Sequence, residues 1–161
     1  MKHILALAFG AMMSCCVEAD GPYELFGVPT DGKWAGPSCK FKLKKPIGLL
    51  SSGYVYTNSV GVVHQFNFVM PLTANDTKDT AINKLLETEE ALAKRCALSS
   101  FTTHVDSKPN RYLWSEECSM LECVGWSVRL YLERDERGNG LVAKGSIWNA
   151  KLNQSPATGM R

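Results

Sequence analysis

Few residues of this 161-residue chain have the type and spacing that chemistry needs. Glu89 is one. Projected at ~100° per residue it falls inside an apolar helical stripe of Leu85, Leu86, Leu92 and Ala93. A carboxyl group there must find a partner or keep its proton, because burying an unpaired charge is costly. His64 is the matching oddity. It shares a period-two face with Val62, Phe66, Phe68 and Met70, on a strand expected beneath the helix. His64 and Glu89 are therefore the candidate buried polar pair. His104 and Asp106 are residue types for acid–base work, but they lie in a polar stretch, 99–110, that reads as a solvated connection.

No activated nucleophile accompanies these groups. There is no G-x-S-x-G, HExxH, P-loop, GxGxxG or EF-hand pattern. No catalytic residues, no metal ligands and no cofactor are expected. A hydrolase using His64, Glu89 or His104 is the catalytic alternative.

Six cysteines are present. Cys15 and Cys16 belong to the N-terminal leader described below, which leaves Cys39, Cys96, Cys118 and Cys123. Four cysteines in an exported domain are expected to form two disulfides. Cys118 and Cys123 flank a four-residue turn and would bridge locally, leaving Cys39 to pair with Cys96. C-x-x-C redox spacing is absent.

Two features suit recognition. Lys40, Lys42, Lys44 and Lys45 make a basic stripe, which reads as protection of a sheet edge or as a patch for an anionic partner. The segment Ile47-Gly48-Leu49-Leu50 is apolar for a loop and is bracketed by Trp34 and Tyr54. The candidate contact residues are Trp34, Lys40, Lys42, Lys44, Leu49, Leu50 and Tyr54. Nucleic acid is not an expected partner, because aromatic residues do not interleave with the lysines and the net charge is only +2. Trp114, Trp126 and Trp148 read as packing residues within strands.

The elements that must position these groups follow from periodicity. Met1-Lys2-His3 and the apolar run to Met13 form a signal peptide, with Val17 and Ala19 placed for cleavage before Asp20. A lipid anchor at Cys15 or Cys16 is the variant of this reading. Residues 20–152 form a single domain, and 153–161 a flexible tail. No later apolar run approaches the ~20 residues of a membrane span.

Cys39 to Lys44 alternates as a strand. Residues 54–57 and 62–70 flank a turn at Asn58 to Gly61. A long helix runs from Asp76 or Asp79 to Cys96 or Leu98. Strands follow at 111–118, 123–134 and 141–152. Asn75 and Asn153 each head a glycosylation sequon.

The fold expected is α+β: a mainly antiparallel sheet with one long helix packed across one face, held by two disulfides. The function expected is a small exported, non-catalytic binding protein. Its most concrete form is a periplasmic inhibitor or immunity-type protein that blocks a protein partner. The alternative is an envelope structural or assembly factor.

Overall fold

The computed structural model describes residues 26–28, 32–34, 39–105, 112–121, 123, 125–135 and 140–152. The expected signal peptide with Cys15 and Cys16, Asp106, Asn153 and the expected C-terminal tail lie outside them.

Among the described residues, seven strands form one antiparallel sheet. They are β1 (Lys40–Ile47), β2 (Leu50–Thr57), β3 (Val63–Met70), β4 (Thr102–Val105), β5 (Trp114–Ser119), β6 (Trp126–Arg134) and β7 (Leu141–Asn149). Their order across the sheet is β1-β2-β3-β7-β6-β5-β4. Alternation explains the longest strands directly. In β6, Trp126, Val128, Leu130 and Leu132 are buried, while Ser127, Arg129 and Tyr131 face the other way. Beside them Ala143, Gly145 and Ile147 of β7 turn to the same core. Gly145 leaves room there for Leu50, Leu130 and Met70.

The helix α1 (Lys78–Ala93) joins β3 to β4. Thr77 caps it, its side chain accepting from the Thr80 N–H at 3.3 Å. Asp76 accepts from the Lys84 ammonium at 2.8 Å, and that cation holds its carboxyl below the ordinary range. Ala81, Leu85, Thr88 and Leu92 are buried, chiefly against β6, β7 and β1.

Two parts of the expected architecture are corrected. The helix is short, 16 residues, about 24 Å at 1.5 Å per residue, and does not extend across the sheet as one long element. It ends at Ala93, and Lys94–Cys96 turn away. The core beside it includes Phe26, whose ring packs at a tilt with its centroid 4.6 Å from that of Phe66 and 5.4 Å from that of Phe68.

The disulfides are absent. None of the four described cysteines lies at disulfide distance from another. The register gives the reason: Cys118 pairs across the ladder with Val128, and Cys123 lies in the turn beyond, so the two never face each other. Cys39 is exposed at the start of the edge strand, whereas Cys96 is buried at the helix end.

The apolar segment 47–50 is a tight hairpin rather than a loop. Ile47 and Leu50 are each 1% exposed, and Gly48 turns the chain with φ +57°. A Cβ on Gly48 would stand 2.7 Å from the Thr88 Cα, so this hairpin seats directly on the helix. The Leu49 N–H donates to the Thr88 hydroxyl at 3.1 Å, and that hydroxyl donates to the Lys84 carbonyl at 2.9 Å.

Candidate binding face of the sheet

The side of the sheet opposite α1 carries three rows of residues that run across the strands. Tyr54, Asn67, Ser146, Arg129 and Glu117 form one row through successive pairings. Tyr56, Gln65 and Trp148 form the row on one side, and Val69, Lys144 and Tyr131 the row on the other. All of these except Glu117, together with Tyr112, line a groove of about 540 Å³.

The groove is rich in rings. The Tyr112 and Tyr131 rings lie with centroids 4.6 Å apart and their planes tilted by 55°. The Arg129 guanidinium lies 5.6 Å from the Tyr112 ring and 5.5 Å from the Trp148 ring. It is also ion-paired with Glu117, Nε donating to Oε2 at 2.9 Å. Lys144 is ion-paired with Glu133. Asn67 Oδ1 accepts from Gln65 Nε2 at 2.7 Å and from the Ser146 hydroxyl at 2.9 Å. Burial raises the Tyr131 phenol above its usual range, so the ring meets a ligand as a neutral hydroxyl. The two cations that line the groove, Arg129 and Lys144, are ion-paired, and its amides are fixed. Such a surface offers rings and oriented dipoles rather than net charge.

The covered face treats charge differently. Glu89 of α1 is half-buried, and its Oε2 is enclosed with no hydrogen-bond partner. Its neighbour is Glu116 of β5, whose Oε1 accepts from the Thr103 hydroxyl at 2.7 Å. Burial first, then Glu116, pushes the Glu89 carboxyl up to about 8. Cys118 lies close by. Burial, then the charges of Glu89 and Cys96, push its thiol up to about 12, so it remains a protonated, poor nucleophile.

The structure brings Glu89 to Glu116 rather than to His64. A register shift beside Tyr56 and Thr57 buries Val63 and leaves His64 half-exposed, where burial lowers its pKa. His104 is exposed on β4, a strand where a loop is expected, and pairs across the ladder with Ser115. It shares a cleft of about 290 Å³ with Ser99, Ser119 and Glu117. The Ser99 hydroxyl is engaged with the Ser119 N–H at 2.8 Å.

The expected contact residues are dispersed. Leu50 is core and unavailable to a partner, and Leu49 is partly buried against the core. Trp34 packs edge-on against Phe41 with centroids 6.4 Å apart. Tyr54 stands on the aromatic groove with the Lys40 ammonium 6.0 Å above its ring. Lys42 and Lys44 line a separate groove with Lys45 and Arg95.

Sequence reasoning missed Tyr56, Tyr112, Arg129, Tyr131 and Trp148. Their signal was the outward half of each alternating strand. Among the described residues no group of three or more His, Cys, Asp or Glu could hold a metal ion, and no helix is long and apolar enough to cross a membrane. The chain matches no family model, and no curated protein or solved structure is significantly similar to it.

Proposed function

We propose that this chain is a non-catalytic binding protein that takes a protein partner on the solvent face of its sheet. The observation that carries this reading is the groove in which Arg129 lies against Tyr112 and Trp148, flanked by Tyr54, Tyr56 and Tyr131. Tyrosine, tryptophan and arginine are the residue types that dominate binding energy at protein interfaces. All of them but Tyr112 stand on hydrogen-bonded strands, so little freedom is lost there when a partner docks. An exported inhibitor that blocks its partner is the most concrete form of this function. Its export rests on the leader at residues 1–19.

Affinity capture from the producing cell tests the reading, with the wild-type domain, Trp148→Ala and a Lys151→Ala control as parallel baits. The expected result is one stoichiometric protein, retained by the control and lost with Trp148→Ala. If that protein is an enzyme, its activity falls on titration with the domain. Recovery that ignores Trp148→Ala contradicts the reading. Recovery of membrane-assembly machinery by all three baits favours an envelope assembly factor instead.

A further inference from the structure

A second groove, of about 530 Å³, lies at the far edge of the sheet and has the opposite electrostatic character. Lys42, Lys44 and Lys45 of β1 line it together with Arg95, just past the end of α1, over a floor of Phe26 and Leu43. All four cations are exposed, and none has an ion-pair partner among the described residues. The neighbouring Lys94 is paired with Glu90 at 2.9 Å, so this helix end does supply carboxylates, yet Arg95 takes none.

Lysines on an edge strand guard against strand-to-strand aggregation, and β1 is an edge strand. That role needs neither Arg95 nor a groove. The register of β1 also shifts between Lys42 and Ile47, around Pro46, and both Lys44 and Lys45 are exposed where strict alternation would turn one inward. Such irregularities re-aim side chains. Four like charges from two elements are thus gathered in a molecule whose net charge is only +2.

We propose that this groove is a binding site for a phosphate-bearing ligand. Arg95 supplies the planar fork that grips two phosphate oxygens, and the lysines act as point charges around it. The ligand is either a free polyphosphate anion or the phosphate of a lipid headgroup, whose glycerol and first chain carbons would rest on Phe26 and Leu43. This site is separate from the aromatic groove and does not depend on the function proposed for it.

The test is titration calorimetry with sodium pyrophosphate and co-sedimentation with phosphatidylcholine vesicles containing phosphatidic acid. Wild type is compared with Lys44→Gln/Arg95→Gln and with Arg134→Gln/Lys151→Gln, which removes the same charge elsewhere. All four positions are exposed, and the circular dichroism melt of each variant verifies folding. Binding to either probe should weaken about 10-fold or more in the first variant and less than about 2-fold in the second, the loss expected of a bidentate charged contact. Binding to vesicles alone assigns the lipid source, and binding to pyrophosphate as well assigns the free anion. Failure to bind either probe at low salt, or equal weakening in both variants, overturns the proposal.

Discussion

Glu116 and Glu117 are consecutive residues of β5, and the sheet sends them to opposite fates. Glu117 faces solvent and meets Arg129, which lies against two aromatic rings. Glu116 faces the helix and meets a second carboxyl group, Glu89. One face neutralises its charges and leaves rings for contact. The other encloses a carboxyl pair whose comfort depends on a proton. The strand's period of two sorts the charges between the two faces.

Gly48→Ala should do the most damage to the covered face. The added Cβ meets backbone at 2.7 Å, and φ is positive, so the β1–β2 hairpin must lift from Thr88. A loss of about 3 kcal/mol is expected in urea melts. Hydrogen exchange should show β1 losing protection well before β6 and β7. Loss of equal size in all three would mean that the hairpin contact does not act locally.

Trp148→Ala attacks the solvent face instead. It should weaken capture of the partner by about 2 kcal/mol, roughly 30-fold, in direct titration. The unfolding midpoint should move less than with Gly48→Ala, because Trp148 is only half-buried. A variant that binds as wild type does would make the aromatic face ordinary surface.

The pH dependence separates the two faces. The Glu89 pKa is raised by folding, from about 4.5 to about 8. Its proton therefore binds the folded state more tightly than the unfolded one. The stability contributed by that difference is fully present below about pH 4.5 and is lost as pH rises through about 8. The melting temperature should fall on the order of 5 °C between pH 6 and pH 9, taking ~2–4 °C per kcal/mol. Glu89→Gln, which cannot ionise, should flatten the profile and exceed wild type at pH 9. A Glu89→Gln profile that tracks wild type throughout would contradict the Glu89–Glu116 contact.

The smallest effect belongs to Glu117→Gln. The Arg129–Glu117 pair is about one-third exposed on each side, so its loss should cost only about 0.5–1 kcal/mol. It should also give the aromatic face a net positive charge, and partner binding should become more sensitive to salt. Unchanged salt dependence would show that Glu117 is not what neutralises this face.

Much of the sheet was legible in the residues. Lys40–Lys44 and Trp126–Leu132 alternate strictly, and each is a strand. The exposed Thr102–Val105 carries no apolar alternation, so β4 was invisible until its pairing with β5 was seen. The helix stripe is clear in the sequence but its end is not, because Cys96 continues the apolar periodicity past Ala93, where the chain turns.

The inverted exposure of Val63 and His64 comes from a register shift, which no single strand reveals. An even cysteine count suggests disulfides, and only the register shows Cys118 opposite Val128. Glu89 was recognisable as misplaced, whereas its neighbour lies on a strand 27 positions away in the numbering. The aromatic groove was hidden for the same reason. Its rings come from β2, β6, β7 and the segment before β5, and only the order of strands brings them together.

The central claim, that the ring-lined face is where a partner docks, is tested most directly by photo-cross-linking in the producing cell. A benzophenone side chain would replace Tyr56 on that face or Glu87 on the exposed side of the helix. The account predicts one discrete adduct from position 56, abolished by Trp148→Ala, and none from position 87. Adducts of equal yield from both positions, or an adduct at 56 indifferent to Trp148, would contradict it.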